Sequence, residues 1–288
     1  MYGVMKLLKD KNQRKIDELV SHYRKSREER TLILHKKNLT YFFRFCNKEY
    51  YDVERKDIKS YRLAMKNSGL SPRTIKDRLN SLRLFYEYLY KQGKTSKNPT
   101  ENIENPKIDE TLPYYLSFDK LNKLREMAKD NKRDSAVVET LYTTGVRLSE
   151  LVRIKKKDIN WKSKFIFIRD GKGKKERFVK FNTECYYRLK GYLRDRNPKS
   201  VYLFTPYNGK KPISKKTIQD MFHNYSDRLG FQVNARTLRH TFAAHLAIQG
   251  MPLECIQLLL GHDKRENTKV YTKLYHEARK EVYDKYII

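Results

Sequence analysis

Arg236-Thr237-Leu238-Arg239-His240 sets two arginines three residues apart. After it come Leu259-Leu260-Gly261-His262 and, nine residues beyond that histidine, Tyr271. Working back toward the N-terminus, Thr144-Gly145-Val146-Arg147-Leu148-Ser149-Glu150-Leu151 supplies a further arginine, and Gly171-Lys172-Gly173 sets a lysine on a glycine turn.

These residue types suit attack on a phosphodiester. Such attack puts extra negative charge on the non-bridging oxygens, which Mg²⁺ or fixed cationic donors can stabilise. Arginine suits the second route, because it stays charged and its planar fork bonds two phosphate oxygens at once. Arg147, ahead of an apparent helix over 148–154, and Arg239, near a helix start, are the candidates for that clamp. A tyrosine hydroxyl, with an ordinary pKa of about 10, is a weak nucleophile unless its surroundings help. Clustered cations favour the phenolate, and attack by Tyr271 would leave a covalent phosphotyrosine. Lys172 is the candidate acid for the leaving 5′-oxygen, and His262 a donor to phosphate or a keeper of the tyrosine's proton. Each residue also has an ordinary reading. Any of the 22 tyrosines can be a packing residue, Lys172 a solvated surface lysine and Glu150 a helix-surface charge. His240 and His245 read as packing or hydrogen-bonding residues. The glycine turn lacks the Gly-Lys-Ser/Thr ending of a nucleotide loop, which argues against ATP.

Composition agrees with a polyanionic partner. The chain has 288 residues, room for two domains, and carries 64 Lys and Arg against 34 Asp and Glu, a net +30. Nucleic acid is the first choice. An anionic membrane is second, weakened because the charge is spread along the chain and no apolar run approaches a spanning length. Lys-, Tyr- and Asn-rich usage is also what an AT-biased genome produces. Cys46, Cys185 and Cys255 show no CxxC spacing, so neither zinc nor redox chemistry is indicated, and reduced, mostly buried thiols are expected. The first ten residues have no signal-peptide core, which predicts a cytoplasmic protein.

The first hundred residues read as helices. Leu39, Phe42, Phe43 and Cys46, and later Leu82, Phe85, Tyr86 and Leu89, follow helical spacing. Ser71-Pro72 reads as a helix start and Gly93 as a stop. Periodicity then lapses around Pro99, Pro106 and Pro113 and resumes at Ser117. The expected division is 1–105, a linker over 106–116, and 117–288. In the second part, strands over 165–168 and 177–179 flank the glycine turn as a hairpin. Helices follow over 183–194, 215–229, 237–249 and 253–260, with short pieces to the end. The fold class is mainly α with a small β-sheet (α+β).

In this order and spacing, the cations and the tyrosine resemble the active site of the tyrosine recombinase (phage integrase-like) family, in its compact Xer-type organisation. The resemblance covers nearly the whole chain. It implies a helical core-binding domain and a catalytic domain that close as a C-shaped clamp on double-stranded DNA. It equates Arg147 with the first family arginine, Glu150 with its acidic support, Lys172 with the hairpin lysine and Arg239 with the second arginine. His262 matches the later histidine or tryptophan position, and Tyr271 the nucleophile. Arg236 departs from the pattern: the family usually has histidine there. Arginine can donate to phosphate but cannot act as a base near neutral pH. The resemblance further implies metal-independent chemistry without a cofactor, a 3′-phosphotyrosyl intermediate, and four protomers on paired sites exchanging strands through a Holliday junction. The tail residues Val282, Tyr283, Tyr286, Ile287 and Ile288 would dock on a neighbouring protomer or pack in cis. Transposon or prophage movement and chromosome-dimer resolution share this chemistry. Type IB topoisomerase-like relaxation, a DNA-binding protein without chemistry and an RNA-binding module are the rival readings.

Overall fold

The computed structural model describes residues 8–108, 111–169, 176–196, 199–206, 209–261 and 266–286, with backbone alone at 266–267 and 281–286. The chain divides into two compact units, Met1–Asp109 and Glu110–Ile288.

The first unit is helical: α1 (Asp10–Tyr23), α2 (Glu29–Cys46), α3 (Arg55–Asn67) and α4 (Pro72–Lys91). Ser71 caps α4 by accepting the Thr74 amide, and Pro72 follows where no amide partner is needed. The two apolar stripes meet in the core. Leu39, Phe42 and Phe43 of α2 are buried with Leu82, Phe85, Tyr86 and Leu89 of α4, while Cys46 at the stripe's end is half-buried. Phe43 and Phe85 pack edge to face with centroids 5.5 Å apart. Full burial of each such side chain is worth about 1.5–3 kcal/mol.

The second unit holds α5 (Phe118–Ala128), α6 (Lys132–Thr144), α7 (Leu148–Leu151), β1 (Ile159–Asn160), β2 (Phe165–Ile168), β3 (Arg177–Lys180), α8 (Thr183–Asp195), α9 (Lys215–Leu229), α10 (Ala235–Ile248), α11 (Leu253–Leu260), α12 (Glu266–Lys269) and α13 (Thr272–Tyr286). Helix α6 is its centre. Ala136, Val137, Val138 and Leu141 are all buried, and α8 and α10 pack against it. The antiparallel sheet runs β1-β2-β3, with Ile166 opposite Val179 and Ile168 opposite Arg177. Ile166, Ile168 and Val179 face the core, whereas Phe178 is exposed. Alternation therefore points Arg177 inward with Val179.

Several expectations need correction. The helix expected over 148–154 stops at Leu151. Helix α10 starts two residues early, because Asn234 accepts the Thr237 amide. After Leu260 the described residues hold one short piece, α12, and then a single 15-residue helix, α13, where short pieces were expected. Strand β1 was not anticipated; its two residues are too few for a pattern. Of the three cysteines only Cys185 is buried. Cys255 is exposed, on the side of α11 away from buried Ile256 and Leu260. No described helix is long and apolar enough to cross a membrane.

Candidate active site

Three successive carbonyls at the end of α11 collect three guanidinium groups. Arg177 donates through Nε to the Leu259 carbonyl at 3.1 Å. Arg239 donates through Nη2 to Leu260 at 2.7 Å, and Arg147 through Nη2 to Gly261 at 3.0 Å. The last carbonyls of a helix lack intrahelical partners and carry the negative end of its dipole, so cations gather there. Gly261 takes the left-handed conformation that ends α11, with φ 62°.

Each arginine reaches that point from a different element. Arg147 occupies the position ahead of α7 and closes its first turn. Its backbone N–H donates to Glu150 at 2.8 Å, and its Nη1 donates to the same carboxylate at 2.8 Å. Arg239 lies in the second turn of α10, buried, and also donates through Nη1 to the Gly145 carbonyl. Gly145 is the left-handed stop of α6, with φ 59°, so the end of the central helix aligns Arg239 while the next residues lead into Arg147. Arg177 arrives from β3 and grips both Glu150 oxygens, at 3.0 and 2.8 Å.

Glu150 thus sits buried between two arginines. Burial pushes its carboxyl up, but hydrogen bonds and charge from Arg177, then from Arg147, outweigh burial and hold it below its ordinary value. Burial, then the neighbouring Arg147, brings Arg239 down to about 9, which leaves it charged at neutral pH. Three guanidinium groups against one carboxylate give a net positive, preorganised cluster. Each guanidinium has five donors, and the bonds above engage only part of each set.

Tyr271 follows α12 and precedes α13, donating its backbone N–H to the Thr268 carbonyl at 3.0 Å. Its ring is buried among Ala243, Ala244, Ala247, Ile256, Leu260 and Leu274. Its hydroxyl lies 2.6 Å from Nδ1 of His240. Burial raises the phenol above its ordinary value, and opposition from Arg239 and Arg236 does not cancel it. The expectation that clustered cations favour the phenolate is therefore reversed in the free protein: desolvation outweighs Coulomb attraction. Arg236 is exposed and donates through Nε to Nε2 of His240 at 3.2 Å. Arg236, Arg239 and His240 share one face of α10 at helical spacing.

The structure brings Arg147, Glu150 and Arg239 into one cluster, with Arg236 linked to Tyr271 through His240. Lys172 and His262 lie outside the described residues, as do the glycine turn, Ile287, Ile288 and the other tail side chains. Two participants escaped the sequence reading. Arg177 looked like part of a strand; its signal was a charge sharing the inward face with Val179. His240 read as a packing or hydrogen-bonding residue, and it does hydrogen-bond; that its partner is Tyr271 was not foreseen, and the only signal was the four-residue step from Arg236.

Residues 115–278 match the phage integrase family, and residues 16–94 match the phage integrase N-terminal SAM-like domain. The chain is 32% identical to the tyrosine recombinase XerA of Pyrococcus horikoshii, over 85% of each protein. It is 34% identical to the tyrosine recombinase XerC of Thermodesulfovibrio yellowstonii, over 88% of this chain and 89% of that one. Among solved structures, the Tn1549 transposon integrase in complex with transposon right end DNA shares the fold. Its TM-score is 0.77 at 18% identity, over 96% of this chain and 99% of that one. With family matches in both units and these relatives along most of its length, the chain belongs to the phage integrase family and is a tyrosine recombinase.

Proposed function

We propose that this recombinase cuts and rejoins double-stranded DNA at specific paired sites, with Tyr271 as nucleophile and Arg147 and Arg239 as the phosphate clamp. The observation that carries the reading is the meeting of three arginines on the last carbonyls of α11. Fixed in place, such donors need no reorganisation when negative charge builds on the phosphate. The Tyr271 oxygen attacks phosphorus, the bond to the 5′-oxygen breaks, and a 3′-phosphotyrosine forms. Lys172 protonates the leaving oxygen, and His262 bonds a phosphate oxygen. Glu150 and Arg177 keep Arg147 in register. Reversal by another strand's 5′-hydroxyl rejoins DNA without ATP, because the bond energy is kept in the phosphotyrosine.

In this proposal residues 1–105 grip the DNA, 106–116 form the linker, and 117–288 carry the chemistry. Four protomers act in the cytoplasm on two sites through a Holliday junction, with the C-terminal tail docking between neighbours. The site does not distinguish transposon, prophage and chromosome-dimer substrates, which present the same phosphodiester.

The test is a nicked suicide substrate in buffer containing EDTA. Wild-type protein accumulates a covalent DNA adduct, and Tyr271→Phe binds the substrate without forming one. Adducts in Tyr271→Phe would move the nucleophile elsewhere, Tyr275 being the first candidate. Holliday junctions formed from two cognate sites separate recombination from topoisomerase-like relaxation.

A further inference from the structure

The bonds around His240 define where its proton lies. An arginine Nε–H is only a donor, and that of Arg236 points at Nε2 of His240 at 3.2 Å. Nε2 must therefore present its lone pair. A charged imidazolium would set two donors against each other. Burial, Arg236 and Arg239 all work against charging the ring and bring it down to about 4. In the neutral ring the proton then sits on Nδ1, 2.6 Å from the Tyr271 hydroxyl oxygen. The ring donates to that oxygen and takes nothing from it, so the tyrosine's own proton must leave in another direction.

We propose that His240 is a positioning residue for Tyr271, a hydrogen-bond donor held in its Nδ1–H form by Arg236. This rests on the reading of Tyr271 as nucleophile. It gives Arg236, where the family usually has histidine, a role through His240 rather than as the phosphate donor expected from the sequence. The donor acts in both halves of the reaction. During cleavage the phenol oxygen gives its proton to water as it bonds to phosphorus. During rejoining the phosphorus–oxygen bond breaks, and the electron pair returns to the same oxygen. In each case the Nδ1–H bond becomes charge-assisted and strengthens as negative charge gathers on the oxygen. That stabilisation is placed where burial otherwise disfavours the phenolate.

Two measurements test the inference. In the free, full-length protein with ¹⁵N-histidine, long-range ¹H–¹⁵N correlation reads the tautomer of each ring. The His240 signals, identified by their loss in His240→Asn, should show hydrogen on Nδ1 at pH 7 and should change tautomer in Arg236→Ala. A proton on Nε2 in the wild type would overturn the proposal, whatever the nucleophile is. Single-turnover cleavage supplies the second measurement. His240→Leu removes the donor and should slow cleavage on the order of 10²-fold, the scale of one lost oxyanion donor. His240→Asn retains an amide donor near the Nδ1 position and should recover most of that loss. If His240→Leu fails to fold, Asn against Gln gives the same contrast, since the Gln amide falls nearer the Nε2 position. Arg236→Ala should slow the wild type and add nothing in the His240→Leu background. Full multiplication of the two effects, or equal rates in the Leu and Asn variants, would refute the assignment. If Tyr271→Phe abolishes adducts while His240→Leu cleaves at the wild-type rate, the inference alone fails and the functional reading stands.

Discussion

Glu150 is the residue on which the arginine cluster depends for its balance. Its side chain is 1% exposed, and Arg177 and Arg147 beside it are 11% and 25% exposed. Removing one partner of such a pair leaves uncompensated charge in a poorly solvated place. Glu150→Gln should therefore destabilise the protein by about 3–5 kcal/mol at neutral pH, read from urea unfolding. The pH dependence has a definite sign. Because the folded carboxyl is held below its ordinary value of 4.5, it contributes stability above that pH and loses it as acid titrates the folded form. The gap between wild type and Glu150→Gln should be full at pH 7 and shrink below pH 4.5. A gap independent of pH would show that charge is not what Glu150 supplies.

At the scale of elements, the site is built from ends. The stop of α6, the start of α7 and the last carbonyls of α11 place the arginines, and the start of α13 places Tyr271. Gly145 is the tightest of these junctions. A Cβ there would come within 2.5 Å of the Phe242 ring and 3.0 Å of Leu260, at a φ of 59° that side chains rarely adopt. Strain and overpacking together should cost Gly145→Ala about 2–4 kcal/mol. Its carbonyl also receives Arg239, so single-turnover cleavage should slow more than DNA binding weakens. An equal loss in both would separate the junction from the clamp. Ends also decide how much was legible in the sequence. Arg147 and Arg239 could be read because they stand in short motifs with a fixed relation to a helix start. The stripes through Phe42 and Phe85 could be read because helical period survives in the letters. Which carbonyl meets which arginine could not, since Leu259, Leu260 and Gly261 look the same as any apolar helix ending. The burial of Tyr271, which reversed the expected effect on its phenol, depends on α10 and α11 packing around it and has no local signature.

For the whole molecule, the net charge of +30 is the dominant quantity. Each phosphate neutralised on duplex DNA adds roughly 0.9 to the negative slope of log affinity against log salt. If about six to ten phosphates are met, affinity should fall about 10³–10⁵-fold between 50 and 200 mM salt, as measured by anisotropy on a cognate duplex. A nearly flat dependence would contradict a grip on the backbone. The arginine cluster also has a timetable. Gly261 comes 114 residues after Arg147, and Leu259 comes 82 after Arg177. At roughly 5–20 residues per second, a ribosome needs on the order of ten seconds to pass from the first arginine to the carbonyls that hold it. Throughout that interval the nascent chain has made the whole helical first unit but no completed cluster. A polypeptide abandoned in that interval carries the sequence of the first unit and the first arginine, but neither the α11 carbonyls nor Tyr271.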